Sequence, residues 1–216
     1  MDCQVHLWHS AMKDTSVGRE RLTAKGRAMR EGIVAAAAEL VFKSGARETS
    51  LDDVRHHVGA GKSQLYHYFA DKDEVPQAVI EFQGSRVIAE QQAELAAVDS
   101  WERLLAWRNK LVLLAEAYGK IGGCPMGSLA NELAPYRQSH RTALTAGFQA
   151  GAGEIERALL ALQACGALSA KFDPKSLSLL FLSTIQGGLL FAKLNGSAEA
   201  LAKGLDQLIA LIRNQE

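Results

Sequence analysis

The chain has 216 residues, with 24 Lys and Arg balanced by 24 Asp and Glu, so its formal net charge is zero. No global field draws it to nucleic acid or to an acidic surface, and any such attraction has to be local. The length accommodates a small domain and a larger one. Cys3, Cys124 and Cys165 are too few, too dispersed and odd in number for a disulfide framework, and they fit a reducing compartment.

The first residues, MDCQVHLWHSAMKDTSVG, carry no cap, no helical period and no apolar run long enough for a signal peptide. Residues 1–20 therefore read as a disordered extension. No segment is expected to reach the ~20 apolar residues of a membrane span, so the expectation is a cytoplasmic protein with no membrane contact. Arg19, Arg21, Lys25, Arg27 and Arg30 follow as a basic cluster interrupted only by Glu20. As a group they would add phosphate contacts, each steepening the salt dependence of DNA binding, while a solvated helix face accounts equally well for any one of them.

The run IVAAAAELVF, from Ile33 to Phe42, predicts a helix whose Ile33, Ala37, Leu40 and Val41 face two later helices. The first of these begins near Ser50. Its hydroxyl can accept from the Asp53 N–H, and Asp52 and Asp53 suit the positive end of the helix dipole. Leu51, Val54 and Val58 then recur on one face while Arg55, His56 and His57 turn outward. Gly59 stands where a helix C-terminus needs a residue tolerant of positive φ, and Gly61 lets the chain turn again before Lys62. In the next helix Leu65 and Phe69 are four apart and can anchor it, leaving Lys62, Ser63, Gln64, Tyr66 and His67 to project. Two short helices meeting at a tight turn, the second rich in donors, outline a helix-turn-helix. Gln can pair bidentately with adenine, Lys can reach guanine or phosphate, and Ser and Tyr hydroxyls commonly hold phosphates.

From Arg27 to Val75 the chain resembles the DNA-binding domain of TetR-family transcriptional repressors. The likeness is carried by LVFKSGARETSLDDV, by Lys62 and Lys72, and by the Leu-Tyr-x-Tyr-Phe pattern of Leu65, Tyr66, Tyr68 and Phe69. The resemblance implies that Lys62, Gln64, Tyr66 and His67 face the major groove or its walls, and that Tyr68 and Lys72 bind phosphate. Ser50, Gly61 and Ser63 complete the implied DNA-binding set. Arg55, Val58, Gly61 and Ser63 stand where the family usually has Ala, Ala, Ser and Gly, so operator preference is not transferable. Met12 is a candidate natural start, because MKDTSVGRERLTAKGRAMR resembles the opening of related chains better than the preceding eleven residues do.

Almost everything after Asp71 reads as helix, without strand alternation. The expectation is an all-α protein: an extension over 1–20, a three-helix DNA-binding domain over 21–71, and a larger effector-binding and dimerisation domain over 72–216. Ser100 starts a helix carrying Trp101 and Trp107, which read first as core. The break IGGCPMGSLANEL combines permissive glycines with Pro125, and Ser128 can cap a short helix over Leu129 to Glu132. Its Gly-Cys-Pro-x-Gly pattern, with FDPKSLSLLFLSTIQGGLLFAKLNGS, resembles a TetR subgroup that responds to flavonoids and other hydrophobic effectors. Candidate pocket residues are Trp107, Tyr118, Met126, Asn131, Phe148, Phe181 and Gln186, apolar or amide side chains on helices expected to surround a cavity.

Cys124 has no basic neighbour in sequence to lower its pKa and reads as a structural thiol. His56 and His57 are adjacent on a helix and cannot both face one ion, so no metal is expected, and no cofactor. Nothing resembles a phosphate-cradling glycine loop or a nucleophile elbow, so no enzyme is expected. A helical binding protein or enzyme that has lost DNA binding is the alternative.

Near the end, Asp173 caps and Pro174 opens a helix through Leu177, Leu180, Phe181, Ile185, Leu189 and Leu190, with Gly187 and Gly188 allowing close approach. Ala198 to Arg213 repeats Leu201, Leu205, Leu208, Ile209 and Ile212. Two helices apolar on so many sides predict pairing with their copies in a homodimer. A two-fold dimer predicts a palindromic double-stranded operator, released when a small hydrophobic effector binds.

Overall fold

The computed structural model describes residues 23–69, 74–118, 121 and 123–213. The expected N-terminal extension, Arg19, Arg21 and Lys72 lie outside them. Among the described residues there is no strand; the elements are α1 (Ala24–Ser44), α2 (Leu51–His57), α3 (Lys62–Tyr68), α4 (Glu74–Leu95), α5 (Trp101–Tyr118), α6 (Pro125–Leu133), α7 (Gln138–Ala164), α8 (Pro174–Asn195) and α9 (Glu199–Arg213).

The chain divides into two compact units, one reaching Phe82 and the other starting at Gln83. The first contains α1 to α3 and the opening turns of α4, whose Val75, Ala78, Val79 and Ile80 are buried. It thus runs past residue 71, the boundary expected from sequence. Thr23 caps α1, its hydroxyl accepting from Gly26 N–H at 3.1 Å. Ile33 and Ala37 are buried as their spacing predicts, joined by Val34 and Ala38, while Leu40 and Val41 are half-buried.

In the second unit α7, α8 and α9 pack in succession, with α5 against α8 and α9 and α6 against α7. One apolar core runs through Leu104, Trp107, Leu159, Phe181, Leu201 and Leu205. Asp173 caps α8 by accepting from Ser176 N–H at 3.0 Å, with Pro174 in the first turn, where its missing N–H costs nothing. Arg108 of α5 holds α9 through the Ala202 carbonyl at 3.0 Å and Asp206 at 2.6 Å.

Of the two consecutive glycines on α8, Gly188 faces α9. A Cβ there would fall 2.6 Å from the Leu201 Cα, against backbone that cannot step aside. Gly188→Ala is therefore expected to prise α8 from α9 and destabilise the fold by about 1–3 kcal/mol, measured by denaturant unfolding. A Cβ on Gly187 would meet nothing within 4 Å, so this position carries no such penalty.

Two sequence expectations are corrected. Helix α6 starts at Pro125 rather than Ser128, because proline suits a first helical position; Cys124 is the N-cap residue, without a side-chain cap bond. And one helix, Pro174–Asn195, is after all long and apolar enough by length and composition to cross a membrane. Its apolar residues are spread around the helix rather than confined to one face. In the fold they split: Leu177, Phe181 and Ile185 enter the core, while Leu179, Leu180, Leu190, Phe191 and Leu194 remain exposed.

Candidate nucleic-acid interface and effector region

Helix α2 starts as its sequence dictates. Ser50 Oγ accepts from Asp53 N–H at 3.1 Å, and Asp53 Oδ2 accepts from Ser50 N–H at 2.8 Å, a reciprocal cap closing both orphan donors. Hydrogen bonds from the Ser50 hydroxyl, then its backbone N–H, hold the Asp53 carboxyl below the usual aspartate range. Folding therefore binds this proton less readily than the unfolded chain does. The cap contributes fully above the ordinary aspartate pKa and is lost as pH falls through Asp53's lowered value. Acid titration of an Asp53→Asn variant should accordingly show a shallower stability loss at low pH than the parent.

The turn between α2 and α3 depends on Gly59, whose φ of 65° lies in the left-handed region. Gly61 is instead the N-cap of α3 with φ −71° and no side-chain cap bond. Leu65 and Phe69 are both 2% exposed and bind α3 to its unit. Arg30 of α1 lies 5.0 Å over the Phe69 ring, so this guanidinium, read from sequence as a phosphate contact, also secures the end of α3. That contact joins residues 39 apart and carries no local signal.

At ~100° per residue, anchoring Leu65 and Phe69 inward turns Ser63 and His67 outward with Tyr66 to one side, while Lys62 stays exposed at the open first turn of α3. All four are exposed, Tyr66 by 43%. Gln64 and Tyr68 sit half-buried on the flanks, the Tyr68 ring edge-on to His67 at 5.1 Å. Ser50 is half-exposed and engaged in its cap, and Gly61 is exposed. Arg55 is half-buried rather than fully outward, donating to Asp52 at 3.0 Å and meeting His56. His57 approaches Glu39 of α1 at 3.9 Å.

The effector candidates divide. Trp107 and Phe181 are core residues with ring centroids 6.2 Å apart. Tyr118 and Asn131 are exposed, and Phe148 is half-buried. Met126 of α6 is 3% exposed, and Gln186 lies beside the next residue, its Oε1 2.9 Å from where a Gly127 Cβ would stand. Sequence reasoning missed Gln83, an amide only 6% exposed, and the glycines Gly84 and Gly147 beside Met126. Cys124 and Cys165 are free, and among the described residues no group of three His, Cys, Asp or Glu could hold a metal.

A short helix pinned by two buried residues, with a basic, hydroxyl-bearing outer face, followed by a larger helical unit, defines a helix-turn-helix regulator. Residues 33–79 match the family described as bacterial regulatory proteins, tetR family, and residues 100–208 match the tetracyclin repressor-like C-terminal domain. The chain belongs to the TetR family of transcriptional regulators. A relative from Lactococcus lactis subsp. lactis, described as an uncharacterized HTH-type transcriptional regulator in the lacX 3' region, is 28% identical over 191 residues, covering 84% of this chain and 92% of that one. The transcriptional regulator AcuR of Cereibacter sphaeroides is 26% identical over 181 residues, covering 82% of each. The reduced form of E. coli NemR shares the fold, with a TM-score of 0.76 and 21% identity over 88% of this chain and 100% of that one.

Proposed function

We propose that this DNA-binding regulator is a dimeric repressor that holds a palindromic operator until a small, largely hydrophobic effector binds its larger unit. The observation that carries the reading is the outer face of α3, where Lys62, Ser63, Tyr66 and His67 are exposed together over the buried Leu65 and Phe69. Lys62, Gln64, Tyr66 and His67 face the major groove or its walls, Tyr68 and Lys72 bind phosphate, and Ser50, Gly61 and Ser63 complete the DNA-binding set. The DNA-binding domain spans residues 21–71 with α1 to α3, and the effector and dimerisation domain spans 72–216, α4 included. Such a protein works in the compartment that holds DNA.

The dimer reading is supported by α8. Leu179, Leu180, Leu190, Phe191 and Leu194 lie within about 120° of one another around the helix and are exposed, Leu194 by 65%. Gly187 sits in that same stripe with open space before it, so another helix can approach closely. An exposed apolar stripe of this size supports a protein interface, and a two-fold axis pairs it with its own copy.

For the effector, Met126, Gln186, Phe148, Trp107 and Phe181 supply the apolar and amide lining, with Tyr118 and Asn131 towards the surface. The resemblance of the Gly-Cys-Pro-x-Gly segment to that of regulators with hydrophobic effectors supports a hydrophobic ligand. The alternative, a helical enzyme or binding protein that has lost DNA binding, leaves the outer face of α3 without a role. A thermal-shift screen of apolar aromatic metabolites tests the effector reading, since a ligand at ~100 times its Kd adds ~2.7 kcal/mol of stability. Hits should release operator DNA; stabilising ligands that all leave DNA binding unchanged would refute it.

A further inference from the structure

Helices α4 and α7 each carry a glycine where packing would normally put a side chain. A Cβ on Gly84 of α4 would lie 3.7 Å from the Met126 methyl and 3.8 Å from its sulfur, and one on Gly147 of α7 only 2.7 Å from the same methyl. The two glycines thus leave a slot filled by one unbranched thioether. Met126 is 3% exposed, yet it stands in the first turn of α6, directly after a segment containing Gly123 at φ 109° and Pro125. Methionine is the residue whose three flexible bonds let it leave such a space at low cost.

We propose that Met126 is a displaceable plug, and that the slot between Gly84 and Gly147 takes the slender apolar part of an uncharged effector; this rests on the effector reading above. At Gly127, the residue after the plug, the neighbouring side chains are Cys124 and the Gln186 amide. Gln83, next to Gly84, is buried and adds a second amide on α4. An ionised ligand would lose its hydration there without a counter-charge, whereas a hydroxyl or carbonyl has amides to meet. Of the charged side chains around the slot, Arg86 pairs with Glu90 and is exposed, Glu154 pairs with Gln92 and Arg157, and Lys193, whose stem lies beside Gly123, is exposed.

The test uses 1-naphthol as a slender neutral probe and 1-naphthoate as its charged counterpart, on full-length protein with methyl-labelled methionine. The chain has four methionines, so the Met126 signal is assigned by its loss in Met126→Ala. Naphthol should move that signal towards the position of an exposed methionine, Met126→Ala should bind naphthol at least tenfold more tightly, and naphthoate should bind at least tenfold more weakly. Gly147→Ala, which crowds the methyl directly, should shift the Met126 signal with no probe present. It keeps the test open should Met126→Ala not fold. Naphthol bound with the Met126 signal unmoved, equal binding of naphthoate, or no naphthol binding to any variant would each overturn the proposal. A screening hit that releases operator DNA while the Met126 signal stays in place would remove the plug and leave the effector reading standing.

Discussion

Replacing Lys62 and Tyr66 together by alanine is expected to lower operator affinity on the order of 10³-fold at physiological salt, with the fold intact. The size follows from geometry. Both side chains are exposed on the outer face of α3, and a two-fold dimer presents each of them twice. Four contacts at a conservative ~1 kcal/mol each give ~4 kcal/mol, or about three decades in Kd. Neither side chain anchors α3, because that falls to Leu65 and Phe69, each 2% exposed. Surface changes of this kind usually alter stability by ~0.5 kcal/mol or less, so the unfolding midpoint should hardly move. Fluorescence anisotropy with the selected operator measures the affinity. Binding within threefold of the parent would mean that α3 does not read DNA.

The second large effect is expected at the α8 stripe. Leu190→Glu with Phe191→Glu should convert the protein to monomers in sedimentation at micromolar concentration and abolish tight operator binding without any change in α3. Both residues are about half exposed, 55% and 52%, and a symmetric seam would cover four such side chains. At ~1 kcal/mol for each remaining half, their loss removes ~4 kcal/mol, and burying four unpaired carboxylates instead adds a larger penalty. The dimer constant should therefore weaken by more than 10³-fold. Gly187→Leu, on the same stripe but facing no element of its own chain, should also weaken the dimer while leaving the monomer fold intact. A protein that remains dimeric with both glutamates in place would locate the seam elsewhere.

What could be read from sequence, and what could not, divides along the range of the interaction. The Ser50–Asp53 cap spans three residues, the φ of Gly59 belongs to one, and the Leu65–Phe69 anchor spans one helical turn, so each was legible before any fold was known. The Asp173–Pro174 start of α8 was legible for the same reason. The surroundings of the pocket candidates are set instead by partners far along the chain. Trp107 and Phe181 satisfy each other in the core, 74 residues apart, and nothing local separates a core tryptophan from a ligand-facing one. Asn131 faces out because α6 buries Met126 and Leu129, which lie on the opposite side of the helix. Gly84 and Gly147 carry no local signal; only the insertion of Met126 gives them a meaning.

The most direct test of the account is selection from random duplexes by the unmodified protein at low salt. A dimer that presents two copies of α3 in successive major grooves, ~34 to 36 Å or a small multiple apart, should enrich a palindrome with half-sites at the matching spacing. Enrichment of no sequence, or of a single half-site without symmetry, would contradict the central claim that this protein is a two-fold reader of DNA.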